Sequence, residues 1–205
     1  MKKILFALIC LIMLGATSIA FADDGNSYLS PADKVIAEIT KAIEDNPNNA
    51  VVYCKRASVY TYKKQFDLAL ADYNKALEIN PKYAYGYACR ADLYEKKGDT
   101  DSAINDLNKA IEYDHTFVKA YNNRAVAYSK KGQYELAIND FKKTIELDSK
   151  HTTAYAGLAM IYENKYLYSE AIATYRKLID NATLPQEKAW VEKAQNKIRE
   201  FGGTL

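Results

Sequence analysis

The sequence predicts an all-α protein, a solenoid of stacked helix pairs, and three observations lead to this prediction. The chain repeats itself with a period of 34 residues, as when the string Ala-Ile-Asn-Asp begins at Ala103 and again at Ala137. Small and aromatic residues recur at fixed positions within the period. Those positions fall on one face of each of two helices, which is the pattern of repeated helix pairs.

Four full units follow one another, at residues 50–83, 84–117, 118–151 and 152–185. Counted from the start of each unit, positions 4 and 11 hold tyrosine and positions 8 and 20 hold alanine in all four. Position 24 holds Tyr73, Leu107, Phe141 and Tyr175, and position 27 holds Ala76, Ala110, Thr144 and Leu178. Positions 4, 8 and 11 share one helix face, and positions 20, 24 and 27 share another. Each unit is therefore predicted to be two amphipathic helices that must stack on the next pair to bury their apolar faces.

Both ends of this array carry a partial unit. Residues 33–49 are predicted to form a half-repeat, a lone second helix with Val35, Ile39 and Ala42 on its packing face. Residues 186–201 are predicted to form a capping helix that covers the last apolar face of the array. The residues expected on its packing side are Trp190, Ala194, Ile198 and Phe201. The predicted helical domain therefore spans residues 33–205.

The 34-residue period and the order aromatic, small, aromatic resemble the tetratricopeptide repeat family. The resemblance implies a right-handed α-solenoid of helix-turn-helix repeats whose concave groove, lined by the first helices, binds a protein or peptide. Two departures are visible. Position 32 holds proline only at Pro81, with His115 and Ser149 in the next two units, and Tyr166 stands where a turn glycine is expected.

The first 22 residues predict a cleaved signal peptide. Lys2 and Lys3 precede an apolar run over residues 4–16, and Ala20 and Ala22 offer the small residues that a signal peptidase reads. We predict cleavage after Ala22, a linker over residues 23–32, and a periplasmic or secreted protein with no membrane insertion after cleavage. An uncleaved anchor is the alternative, because residues 4–22 are nearly all apolar.

Composition and motifs exclude several classes of function. Without Lys2 and Lys3, the 28 basic and 26 acidic residues of the chain become equal in number, so the basic surplus of a nucleic-acid-binding protein is missing. The two histidines, His115 and His151, fall in inter-repeat loops, and no phosphate-binding glycine loop or metal-ligand spacing occurs. We therefore predict a protein that is not an enzyme and that uses no cofactor, no metal and no nucleic acid.

Two further patterns concern packing and redox state. Arginine recurs at position 7, as in Arg90, and aspartate at position 23, as in Asp106; both are absent from the fourth unit, which predicts an ion pair between the two helices. Cys54 and Cys89 lie on neighbouring first helices, so they form either a disulfide or two free thiols.

The resemblance also implies which residues bind a partner. Ligands of the family usually contact positions 2, 5, 9, 12 and 13 of the first helices, and here these positions vary between units while the packing positions do not. The candidate partner-binding residues are Tyr62, Tyr85, Ala88, Asp92, Glu95, Lys119, Asn122, Val126, Lys130 and Met160. We expect a non-catalytic scaffold that binds a peptide or protein partner in this concave groove, in bacterial envelope assembly or secretion. The alternatives are a self-associating, homo-oligomeric module and an accessory subunit that regulates an envelope hydrolase.

Overall fold

The computed structural model describes residues 30–204, and every regular element in this range is a helix. The elements are α1 (Pro31–Asp45), α2 (Ala50–Tyr62), α3 (Phe66–Ile79), α4 (Ala84–Lys97), α5 (Thr100–Tyr113), α6 (Val118–Lys130), α7 (Tyr134–Leu147), α8 (Thr152–Asn164), α9 (Tyr168–Asn181), a 3-10 turn (Pro185–Glu187) and α10 (Lys188–Glu200). The chain divides into Met1–Lys34 and Val35–Leu205, and the four units all belong to the second. The predicted signal peptide and most of the predicted linker lie outside the described residues.

Small residues at the helix crossings allow each unit to close. The alanines at positions 8 and 20, such as Ala57 and Ala69, are at most 1% exposed in all four units. The larger residue at position 24 fills the space beside them, and Phe141 is 1% exposed. Burial of such a side chain contributes about 1.5–3 kcal/mol relative to leaving it in water. The all-α solenoid predicted from the repeat is confirmed.

Each first helix ends at a residue with left-handed backbone. Gly98 and Gly132 have φ values of +81° and +71°, and Lys64 and Tyr166 hold the same place with φ of +59°. Glycine adopts this conformation without cost, whereas a residue with a Cβ atom is strained by about 1–2 kcal/mol. Tyr166 therefore does replace the turn glycine, as the sequence indicated, and the turn is kept at the expense of strain.

Three arginines form the predicted ion pairs within their units. Arg90 donates from Nε and Nη2 to the two carboxylate oxygens of Asp106, each at 2.7 Å. Arg56 and Arg124 make the same bidentate contact at 2.7 and 2.8 Å. Their partners are Asp72 and Asp140, which are buried like Asp106. The prediction is confirmed, and the buried pairs join the two helices of a unit.

Each of these arginines also contacts the preceding unit. Nη1 of Arg90 donates to Asn74 at 2.7 Å, 16 residues earlier in the chain. Arg124 contacts Asn108 in the same way. The tyrosines at positions 4 and 11 lie on either side of each guanidinium, with Arg90 Cζ at 5.6 Å from the ring centroid of Tyr87 and 5.9 Å from that of Tyr94. One guanidinium therefore ties together three helices.

The half-repeat packs differently from the prediction. Val35 is 41% exposed and Ala42 is exposed as well, so these residues do not form a buried face. The buried residue of α1 is Ile43. In a full unit, the face at positions 20, 24 and 27 is covered by the first helix of the same unit, and the described residues contain no such helix before α1.

The C-terminal helix covers the fourth unit, with one correction. Ala194 and Ile198 are fully buried, and Val191 and Phe201 pack around them. Trp190 was predicted to lie in this face but is 39% exposed. The spacing explains the error, because Val191 lies three residues before Ala194 and takes the core-facing place, which turns its neighbour Trp190 toward solvent.

Candidate partner-binding groove

The candidate site is the exposed face of the four first helices, here called the groove. The helices α2, α4, α6 and α8 contact one another in sequence. Large apolar side chains on this face remain 40–50% exposed, one in each unit: Val51, Tyr85, Val126 and Met160. Two other groove positions hold small buried residues, since Ala88 is 1% exposed and Cys54 is 2% exposed. Ala88 therefore belongs to the floor beneath the groove and offers a partner almost no side-chain surface.

The middle of the groove is held by charge pairs between the second and third units. Asp92 of α4 accepts hydrogen bonds from Lys119 Nζ at 2.8 Å and from Asn123 Nδ2 at 2.7 Å, both on α6. One turn further along α4, Glu95 forms an ion pair with Lys130. Although burial alone would lower it, the pKa of Lys119 is raised, because its hydrogen bond to Asp92 and the charge of that carboxylate favour the ammonium form.

Two small cavities open on either side of Asp92, each of about 190 Å³. The first is lined by Ser58, Thr61, Tyr73, Tyr85, Cys89, Asp92, Lys96 and Lys119. The second is lined by Ala91, Asp92, Glu95, Leu107, Asn123, Val126 and Lys130. The second combines apolar side chains with a few charged groups, whereas the first is lined mainly by polar and charged groups.

Two buried oxygen atoms near these cavities have no hydrogen-bond donor among the described residues. They are Oε1 of Glu95 and Oδ1 of Asn122. A buried acceptor without a donor costs about 1–3 kcal/mol. Both atoms lie below the surface of the groove, so a partner could reach them only after the surrounding side chains move.

The structure brings together six of the ten residues predicted from the sequence. Tyr85, Asp92 and Lys119 line one cavity, and Glu95, Val126 and Lys130 join Asp92 in the other. Sequence reasoning missed Asn123, whose position 6 holds unrelated residues in the other units, so that no pattern marked it.

The remaining predicted residues lie apart from the two cavities. Tyr62 is 82% exposed at the end of α2, and Met160 lies on α8. Asn122 neighbours the cavity that Asn123 lines.

Cys54 and Cys89 are free thiols in the structure, and both are buried. Burial, the neighbouring Cys89 and Asp72 raise the pKa of the Cys54 thiol to about 12. Burial raises the pKa of Cys89 as well. Both thiols therefore stay protonated at neutral pH, where a thiol reacts slowly.

We expect Cys54 and Cys89 to resist alkylation in the folded protein and to react fully once it is unfolded. The reason is that neither sulfur is accessible or ionised at pH 8 in the native state. Treatment with iodoacetamide before and after adding guanidinium, without reductant, followed by peptide mass mapping, measures this. Two unreacted cysteines in the unfolded protein would instead show that they are joined by a disulfide.

Two classes of feature are not found within residues 30–204. No helix there has the length and hydropathy needed to cross a lipid bilayer. No cluster of three or more His, Cys, Asp or Glu side chains there could hold a metal ion.

Family models identify the repeat. Models described as "Tetratricopeptide repeat" match residues 50–83, 72–105, 118–151 and 152–182, and one described as "TPR repeat" matches residues 91–132. Together they cover residues 50–182, well over half of the chain. The chain therefore belongs to the tetratricopeptide repeat (TPR) family, whose members are generally non-catalytic protein-interaction scaffolds.

Solved structures of low sequence identity share the fold. MamA is 23% identical with a TM-score of 0.67, covering 80% of this chain and 99% of its own. PilW, a type IV pilus biogenesis factor, is 21% identical with a TM-score of 0.69 over 83% of this chain and 82% of its own. YrrB, a TPR protein with an unusual peptide-binding site, is 24% identical with a TM-score of 0.64 over 80% and 90%. No curated protein matches the sequence.

Proposed function

We propose that this protein is an exported scaffold that binds an extended segment of a partner protein in the groove. The observation that carries the proposal is the middle of the groove, where paired charges and two cavities lie between exposed apolar side chains. The site residues proposed from the sequence thus include both apolar anchors and charged groups.

The groove defines the chemistry of the segment that it would hold. Backbone N–H groups or a basic side chain of the segment would donate to the carboxylate of Asp92, whose side chain is 36% exposed. Apolar side chains to either side would rest on Tyr85 and on Val126. Aromatic residues such as Tyr85 are typical anchors of interfaces, because they bury a large area at little entropic cost.

Two considerations support a role in the bacterial envelope. The signal peptide predicted from the sequence would direct the chain out of the cytoplasm. PilW, which shares the fold, is a pilus biogenesis factor. We therefore place the proposed partner among periplasmic or secreted proteins, and the process in envelope assembly or secretion.

A pull-down from envelope extract tests the proposal. The purified protein is compared with a groove variant carrying Tyr85→Ala, Asn122→Ala and Met160→Ala. We expect the parent to capture a defined protein, and the groove variant to capture at least tenfold less of it, since the variant removes two exposed anchors and a polar groove side chain.

The matched control carries Leu136→Ala, Asn139→Ala and Tyr166→Ala. These are a leucine, an asparagine and a tyrosine that are at least as exposed as the groove residues they match and lie outside the groove. The control should bind like the parent, and all three proteins should give the same circular dichroism spectrum. Equal capture by the groove variant would remove the groove from the proposal.

A further inference from the structure

The first helix in the described chain, α1, presents a packing face that nothing in residues 30–204 covers. In the four complete units, the alanine at position 20 of the second helix is 0% exposed. Val35 occupies the corresponding place in α1 and is 41% exposed. Ala42, at the place of position 27, is exposed too, although its counterparts in the complete units are fully buried. The apolar face that is buried in the complete units is therefore exposed at the α1 end of the described chain.

A hydrogen bond shows which element is missing. Nη1 of Arg56 donates to Thr40 Oγ1 at 3.1 Å, over the same 16-residue spacing that joins Arg90 to Asn74 and Arg124 to Asn108. From Val35 onward α1 thus stands where the second helix of a preceding unit would stand. What is absent beside it is the first helix of that unit.

The open face borders a cleft of about 520 Å³ between α1 and α2. Val35 and Ile39 line it from α1, and Val51 and Val59 line it from α2. Tyr83 and Tyr85 also line it. Its one charged lining residue is Lys55. The cleft is thus a mainly apolar slot with a single cation at its edge.

The preceding residues of the chain do not carry the pattern that would fill this slot. The first helices place a tyrosine, an alanine and a tyrosine at positions 4, 8 and 11. The corresponding residues before α1 are Ile19, Asp23 and Asn26. An aspartate in place of the buried alanine would put a charge against an apolar face, which is strongly unfavourable.

We propose that this cleft binds one amphipathic α-helix from a partner protein, which completes the half-repeat. The repeat itself defines the ligand: large, small and large apolar residues at i, i+4 and i+7. The charge of Lys55 favours an acidic side chain at the edge of that helix. This site adjoins the N-terminal end of the groove and shares Val51 and Tyr85 with it. It differs from the proposed groove site in using the open face of α1 and in the helical form of its ligand.

A helical peptide copied from this protein serves as the probe. It comprises residues 84–97 with Cys89→Ser and a side-chain staple on its solvent face, and it carries Tyr87, Ala91 and Tyr94 at the required spacing. We expect it to shift the methyl NMR signals of Val35, Ile39 and Val59 in the purified protein, with saturation below 1 mM. The signals of Val126 and Met160 should stay unchanged.

Three controls distinguish docking in the cleft from nonspecific binding of the peptide. A peptide with Tyr87→Asp and Tyr94→Asp should cause no shifts. Ile39→Asp in the protein should weaken binding at least tenfold, whereas Leu136→Asp, at an exposed leucine on α7, should not. Both variants alter side chains outside the core and should keep the circular dichroism of the parent.

Each contrary outcome is distinct from failure of the groove proposal. The absence of shifts, or equal shifts with the control peptide, would overturn helix docking and leave the pull-down unaffected. Shifts confined to Val126 and Met160 would overturn the cleft and move the helix into the groove. If light scattering shows dimers and Ile39→Asp abolishes them, the cleft binds a second copy of the chain. That result would overturn the proposal of a separate partner protein.

Discussion

Replacing Asp106 by threonine is expected to lower the free energy of unfolding by about 3 kcal/mol, as removal of one partner from a buried ion pair does. The carboxylate of Asp106 is 8% exposed and accepts two hydrogen bonds from Arg90. Without it, the guanidinium stays largely buried between Tyr87 and Tyr94 with no opposing charge. Denaturant unfolding followed by circular dichroism measures the loss.

The matched control comes from the protein itself, because the fourth unit carries Leu158 and Thr174 in place of the pair, both buried. A double variant, Arg90→Leu with Asp106→Thr, copies that combination. It should recover at least half of the stability lost by Asp106→Thr alone, since no unpaired charge remains. A double variant as unstable as the single one would show that the ion pair contributes nothing specific.

Replacing Gly157 by alanine is expected to destabilise the protein by about 1–3 kcal/mol, the usual range for overpacking a core. In a helix interior this change normally stabilises by up to about 1 kcal/mol, so the sign of the effect is the test. A Cβ atom at Gly157 would lie 2.3 Å from Cζ of Phe141, whose ring is buried. Moving α7 and α8 apart to make room for the Cβ atom would open the contact between the third and fourth units.

Replacing the ring of Phe141 by a smaller side chain should remove the destabilisation caused by Gly157→Ala. Position 24 holds Leu107 in the second unit and Phe141 in the third. Phe141→Leu therefore introduces a residue that the repeat already accepts at this position. In that background Gly157→Ala should cost nothing or stabilise slightly. The four proteins of the double-mutant cycle are compared by denaturant unfolding, and an equal cost in both backgrounds would rule out the steric contact.

Most of the fold could be predicted from the 34-residue periodicity of the sequence. Alanine at positions 8 and 20 and the large residue at position 24 predicted the buried contacts, because packing repeats with every unit. The ion pair of Arg90 with Asp106 was also visible, through the joint loss of both charges in the fourth unit. The contact of Arg90 with Asn74 was missed, although Thr40, Asn74 and Asn108 offered a polar residue at the same place three times.

The groove and the ends were harder to predict, because they do not repeat. The pairing of Asp92 with Lys119 joins residues 27 apart, a spacing set by how two units lie against each other. Val35 was assigned to a packing face by its match to position 20 of the repeat, and Trp190 by the side of the capping helix that it shares with Ala194. Whether an apolar residue is buried at the end of an array depends on a neighbour, and for Val35 the described residues contain none.

The two ends of the solenoid differ in whether they leave a place for another helix. At one end α10 covers the fourth unit, with Ala194 and Ile198 buried against it. At the other end, the described residues leave one helix place open beside α1. If that place takes a partner helix as proposed, copies of the chain do not add head to tail into a filament through it, because α10 covers the opposite end. Any assembly built through this place stops at one helix per chain, so its stoichiometry is fixed by the fold.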